Sequence, residues 1–245
     1  IGQCCFDEGT VKATYGTGGF LLLNSGEKVI HSQYKLLSTI AYRLQNKTAY
    51  GLEGSIYQAG TTIKWLRDEL KFFMNDSETE ALAESLASNE GVYLIPSFTG
   101  LGAPHWLSYK GAVITGLSRT SNQAHFARAA LESVAYQTRD ILTCIRKDYP
   151  KPLSFIRADG GMAANAWFLQ FLASQCNLLI ERPKEIEITA KGAAMASGLG
   201  IGLYDSYDCL RKIWQSDACF YPETEKAIDD YYDGWKKALQ LLEHH

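Results

Sequence analysis

Residues 153–171, LSFIRADGGMAANAWFLQF, pass from an apolar run to a helical pattern through Asp159-Gly160-Gly161. A strand that hands over to a helix through so short a corner needs backbone freedom there, and glycine supplies it. The alternation continues: strand 153–158, helix 162–175, strand 177–182 and helix 189–203. Upstream, β-prone residues flank Gly16-Thr17-Gly18-Gly19 and read as a hairpin between Lys12 and Leu23. A second hairpin joins residues 36–44 to 49–57 across Gln45-Asn46-Lys47. Hairpins followed by βαβα predict an α/β fold, a mixed sheet flanked by helices.

Between these halves, Ala59-Gly60-Thr61 opens an amphipathic pattern in which Ile63, Leu66, Leu70 and Phe73 recur at helical spacing. Ser77 with Glu80 has the spacing of a capping box. Residues 92–98 and 112–117 are short apolar runs of strand length. The longest helical pattern follows Asn122 and runs to about Lys147, with Ala127, Leu131, Val134, Thr138, Ile141 and Ile145 on one face. A C-terminal helix is expected from about Glu223. No linker or repeat interrupts the chain, so residues 1–241 read as one domain. The final Leu-Glu-His-His, residues 242–245, resembles an expression-tag remnant, which takes His244 and His245 out of any chemistry.

Composition narrows the function classes. With 46% hydrophobic and 21% charged residues the chain is an ordinary folded protein, and a formal net charge of -3 lacks the basic face of a nucleic-acid binder. No run is apolar and long enough to cross a bilayer, so no membrane partner is expected. The cysteines Cys4, Cys5, Cys144, Cys176, Cys209 and Cys219 form no CxxC pair, which points to reduced thiols in a cytoplasmic protein rather than a zinc site. Neither a Walker loop nor a GxGxxG fingerprint occurs. Glycines immediately after strands, in TYGTGG and ADGGMAAN, expose backbone N–H groups that suit phosphate oxygens, and the second corner precedes a helix N-terminus. Taken alone, such a corner is more often a plain tight turn. The small-residue run TAKGAAMASGLGIG has two readings as well: close helix packing, or a helix at a moving interface between two lobes.

The set TYGTGGF, AGTTIKWLRDEL, PSFTGLGAPHW, DGGMAAN and TAKGAAMASGLGIG, in this order, resembles the C-terminal half of glycerol kinases. Ala112-x-Ile114-x-Gly116-Leu117, His125-Phe126 and Ala129-Ala130-Leu131-Glu132 match that family's second signature. The resemblance covers nearly the whole chain. It implies a C-terminal domain of the actin-like ATPase (ribonuclease H-like) fold, half of a two-lobed, cytoplasmic, ATP-dependent kinase of glycerol. It implies that Thr17 contacts phosphate, Gly60 borders the nucleotide, Gly161 and Asn165 cradle the adenosine end, and Phe20 walls the polyol pocket. Lys64 stands where family members commonly have Gln, and reads either as a phosphate contact or as a solvated side chain. Mg2+ is the implied ion, with no metal ligand assigned in this chain.

No catalytic residue is assigned either. The acids Asp7, Glu53, Asp68, Glu132 and Asp159 offer no dyad spacing, and Asp159, preceding Gly-Gly, reads as a turn residue bonded to its own backbone. The family's Gly-Asp-Gln motif, with its proposed base, is expected upstream of Ile1, and the N-terminal lobe with it. The 245 residues are therefore expected to fold without turning over glycerol, to expose an apolar cleft face prone to self-association, and to belong to a possible homo-oligomer. The alternatives are a kinase of another polyol or sugar and a non-catalytic nucleotide-binding or interaction module.

Overall fold

The computed structural model describes residues 1–44, 46–108, 111–185, 187–224 and 227–243. Strand β1 (Val11–Tyr15) turns into β2 (Gly19–Gly26), and β3 (Leu37–Leu44) into β4 (Lys47–Ile56). After the helices α1 (Gly60–Asp68) and α2 (Glu78–Glu84), β5 (Tyr93–Ile95) and β6 (Val113–Thr115) pair as a small separate sheet. The long helix α3 (Gln123–Asp148) precedes β7 (Ile156–Asp159), α4 (Ala166–Cys176), β8 (Ile180–Pro183) and α5 (Ile188–Gly200). The chain closes with α6 (Tyr207–Arg211), β9 (Ser216–Phe220) and α7 (Ala227–Glu243).

The main sheet runs β3-β4-β2-β1-β7-β8-β9. It is mixed because the hairpins pair antiparallel while β7 adds to β1, and β8 to β7, in parallel. Side chains alternate across a strand. Val11, Ala13, Tyr15, Leu21 and Leu23 are fully buried on one face, where the Tyr15 hydroxyl lies 3.0 Å from that of Thr138 on α3 and its ring packs edge-on against Phe168 of α4. Lys12, Phe20 and Leu22 point to the other face, towards α5. Helix α3 is buried on nearly all sides, so the apolar face read from the sequence is only part of what it covers. Its start is secured by Asn122, whose side chain accepts from Ala124 N, and by His125, whose ring accepts from Asn122 N.

Several local expectations are corrected. Helix α1 stops at Asp68, because Lys71 takes a left-handed conformation (φ 57°) and the chain turns; Phe73 reaches the core from that turn, and Leu70 is exposed. Ser77 makes no capping bond; Glu78 instead accepts from the N–H groups of Met74 (3.0 Å) and Asn75 (2.8 Å). The predicted helix 162–175 is a 3-10 turn, Gly161–Ala164, then α4, broken at Asn165. Helix α6 and strand β9, of five residues each, are too short to show a period in the sequence.

At the C-terminus, Trp235 is fully buried, and Tyr231 and Tyr232 pack against the core, so the aromatics of α7 serve their own domain. Leu242 is buried in the last turn of α7, whereas His244 and His245, like Gln45 of the predicted hairpin loop, lie outside the described residues. All six cysteines are free thiols, and burial pushes Cys5 up to about 11 and Cys176 up to about 12, far from the thiolate a nucleophile needs. No helix among the described residues is long and apolar enough to cross a membrane.

Candidate functional site

Because β1 and β7 are parallel neighbours with Thr14 opposite Asp159, the chain leaves both strands at the same edge of the sheet. The two glycine corners therefore meet. Gly160 sits at φ 90°, and a Cβ there would lie 2.4 Å from the carbonyl oxygen of Tyr15, so only glycine fits. The first corner is then tied to the start of α1. Gly60 N donates to Gly16 O (2.9 Å), Ala59 N to Thr17 O (3.1 Å), and Thr61 gives Thr17 O both its N–H (3.2 Å) and its hydroxyl (3.0 Å). A Cβ on Gly60 would stand 2.6 Å from Gly16 O, so this contact also excludes a side chain.

Between the corners lies a cleft of about 440 Å³. It brings together Thr17, Gly60, Gly161 and Asn165, which the resemblance gives to the nucleotide, and Lys64, whose reading stayed open between phosphate contact and solvated side chain. Two of its glycines have no internal explanation: a Cβ on Gly16 or on Gly161 would meet nothing within 4 Å. The space they leave is open to the cleft. Thr14 sits inside β1, in register with Phe20 and Asp159, and does not line it.

Asn165 is the N-cap of α4 rather than a first-turn residue. Its carboxamide oxygen accepts from Phe168 N (2.8 Å), and its Nδ2 donates to the Thr79 hydroxyl (3.2 Å), which donates in turn to Asp76 O (2.6 Å). The acceptor is thus engaged, and one N–H of the amide remains for a ligand. Replacing Asn165 by Ala is expected to cost about 1 kcal/mol of stability through the lost cap, whereas Asp should keep it; urea denaturation of both variants checks this. Glu80, read from sequence as a capping-box partner, accepts from Ala166 N (3.3 Å) at the same helix start. Ile63, Thr79, Glu80 and Met162 line the cleft without having been singled out for it; for Ile63 the only sequence signal was helical spacing. Lys64 is exposed at the cleft wall.

Phe20 lies elsewhere. It is 50% exposed, and it lines a second cleft of about 430 Å³ with Lys12, Leu22, Glu53, Ile188 and Gly192. On this face burial holds the Lys12 ammonium below its ordinary value and raises the Asp159 carboxyl above its own. Asp159 does not bond its own turn, as the sequence led one to expect. Its carboxylate accepts from Gln3 Nε2 (2.7 Å), and Gln3 Oε1 accepts from Trp214 Nε1 (3.3 Å), so the acid belongs to a buried tie between the N-terminal segment and the sheet. The small residues of α5 serve close packing on this side: a Cβ on Gly192 would lie 2.8 Å from Gly2 N.

Residues 11–200 match the model of the C-terminal domain of the FGGY family of carbohydrate kinases. Over 244 residues the chain is 50% identical to a glycerol kinase of Gluconobacter oxydans, covering 98% of this chain and 48% of the relative. Over 241 residues it is 46% identical to a glycerol kinase of Coxiella burnetii, with the same coverage of 98% and 48%. The crystal structure of Plasmodium falciparum glycerol kinase with ADP superposes with a TM-score of 0.90 at 38% identity, over 98% of this chain and 48% of that one. A ligand-bound xylulose kinase from Lactobacillus acidophilus shares the fold, with a TM-score of 0.83 at 20% identity over 98% of this chain and 48% of the other. The chain spans about half the length of the curated relatives it matches.

Proposed function

Because the chain belongs to the FGGY family of carbohydrate kinases, we propose that it is the nucleotide-binding C-terminal half of an ATP-dependent glycerol kinase. The mixed sheet and its flanking helices are those of the actin-like ATPase fold of these kinases. The full protein transfers the γ-phosphate of ATP to a terminal hydroxyl of glycerol, giving glycerol 3-phosphate. One observation carries this reading: Gly16 and Gly161 flank a 440 Å³ cleft, and their missing side chains leave room that the protein does not fill.

Phosphoryl transfer is chiefly positioning and charge stabilisation, and this half contributes positioning. Thr17, held by three hydrogen bonds to its carbonyl, presents its exposed hydroxyl towards the phosphates. Gly60 brings the start of α1 against the nucleotide, and Gly161 with the free amide hydrogen of Asn165 receives the adenosine end. Lys64, in place of the common Gln, lies within this cleft and supplies a cation at its wall. Phe20 offers a flat apolar face to the carbon chain of glycerol in the second cleft.

Magnesium, which the family implies, has no preformed cage: no group of three His, Cys, Asp or Glu able to hold a metal occurs among the described residues. That suits an ion usually held by one or two carboxylates together with phosphate oxygens and water, and no step is assigned here to a metal ligand of this chain. The base that takes the hydroxyl proton, and most polyol contacts, belong to the other half. The cytoplasm is its proposed location, and the half-exposed Phe20 of the second cleft supplies apolar surface for a homo-oligomer.

The test is ADP release by the full-length protein, coupled to a spectrophotometric readout, against glycerol, xylulose and gluconate. Turnover with glycerol well above the other two, and none from the 245 residues alone, is the expected result. Preference for another sugar would reassign the substrate. Absence of ATP binding by the full protein would leave a non-catalytic module.

A further inference from the structure

The geometry points to Arg182 as the positioning residue that holds the nucleotide-binding turn in place. This rests on the nucleotide reading of the cleft. The 3-10 turn Gly161–Ala164 carries the cleft wall, and its last carbonyls lose a natural partner, because Phe168 N, four residues after Ala164, is taken by the Asn165 side chain and Ala166 N, three residues after Ala163, by the Glu80 carboxylate. Arg182, on β8, supplies one. Its Nη1 donates to the carbonyl oxygens of both Ala163 and Ala164 (3.3 Å each).

The guanidinium is itself fixed from behind. Asp217 on β9 accepts from Nε (2.8 Å) and from Nη2 (2.6 Å), and the plane lies 5.6 Å from the Phe220 ring centroid. A planar fork can serve a carboxylate and two carbonyls together, which a lysine cannot. The cation also faces the carbonyl end of a helical turn, where positive charge is favoured. Strands β8 and β9 thus reach the cleft through one side chain that does not line it. Without Arg182, Gly161 and Asn165 keep their neighbours on one side only, and the turn loses the restraint that sets the distance between the two glycine corners.

The experiment uses the full-length protein and steady-state kinetics with each substrate varied. Arg182→Ala is expected to raise KM for ATP by ~10-fold, with kcat and KM for glycerol within about twofold of the parent, as displacement of a binding element predicts. Asp217→Asn, at an exposed position, is expected to raise KM for ATP by ~3-fold, and the double variant to match Arg182→Ala alone, since both act through one turn. Arg182→Lys should not restore the parent value. A fall in melting temperature with KM for ATP unchanged would overturn the inference, as would equal rises in both KM values. If Arg182→Ala does not fold, Asp217→Asn decides by the same criteria. Gly161→Val serves as the control for the site: if it too leaves ATP binding unchanged, the nucleotide reading falls; if it weakens binding while the Arg182 and Asp217 variants do not, only the positioning role falls.

Discussion

Valine at Gly161 in the full-length protein is expected to weaken ATP binding at least ~10-fold, read by calorimetry, while the melting temperature stays within a few degrees of the parent. Both halves of that expectation come from the same geometry. Gly161 has an ordinary φ, and a Cβ there meets no protein atom within 4 Å, so the fold tolerates the side chain. The added atoms occupy the cleft instead. The adjacent residue behaves oppositely. Alanine at Gly160 must take φ 90° and place its Cβ 2.4 Å from Tyr15 O, 2.6 Å from Tyr15 C and 2.9 Å from Tyr15 N. Strain of a few kcal/mol from the backbone, plus contacts that force β1 and β7 apart, should leave little folded protein, detected as loss of cooperative thermal unfolding. Two glycines side by side thus separate a requirement of the ligand from a requirement of the chain. Unchanged ATP affinity in Gly161→Val would remove the main support for the nucleotide cleft.

A second large effect is expected far from the cleft. Glu132 is fully buried on α3 and accepts from Arg128 Nε (2.7 Å), the Tyr136 hydroxyl (2.7 Å) and Asn89 Nδ2 (3.1 Å). Arg128, itself buried, also donates to Leu86 O (2.5 Å) and lies 5.1 Å from the Trp167 ring centroid, so the pair joins α3 to the end of α2 and to α4. Arg128→Met keeps the length of the side chain but strands a carboxylate in the interior, and should cost about 3–5 kcal/mol in urea denaturation. Adding Glu132→Gln should recover part of that loss, because an amide leaves no charge to strand.

The pH dependence has a definite sign. Burial raises the Glu132 carboxyl above its ordinary value, against the opposing pull of Arg128. A carboxyl raised on folding contributes stability that is complete below its unfolded value, about 4.3, and is lost as pH rises through the folded value. Removing Arg128 takes away the opposing pull, so the deficit of Arg128→Met should deepen from about pH 4 towards neutrality and shrink on acidification. A deficit independent of pH would mean that lost packing, not the stranded charge, destabilises the variant.

These contrasts show where sequence reasoning reaches. TYGTGG and ADGGMAAN were legible because a strand ending in glycine can do few things, and alternating strands and helices leave a mixed sheet as the economical arrangement. Gly60 was legible as a helix start from the amphipathic pattern it opens, and as a neighbour of the nucleotide only through the family resemblance. The division of labour between neighbours was not. Gly160 and Gly161 look alike in the sequence, and only the parallel pairing of β1 with β7, which lays the Tyr15 backbone across one of them, tells them apart. Asn165 reads as a ligand residue by resemblance, yet its oxygen caps α4, because the break between the 3-10 turn and α4 places it at the N-cap, where its carboxamide meets Phe168 N.

Other positions share that cause. Ser77 and Glu80 have capping-box spacing, but Glu80 is drawn to Ala166 N by the approach of α2 to α4. Phe20 alternates like any hairpin residue, and only the side of the sheet to which it points makes it half-exposed. Local sequence, through strand period, helical period and glycine, determined which elements form and where the backbone bends, since those preferences act within a few residues. The tertiary structure alone decided which face each side chain meets and which distant donor reaches it, as Arg182 reaches Ala163 and Gln3 reaches Asp159. Such contacts join residues far apart in the chain, and no local preference carries their geometry.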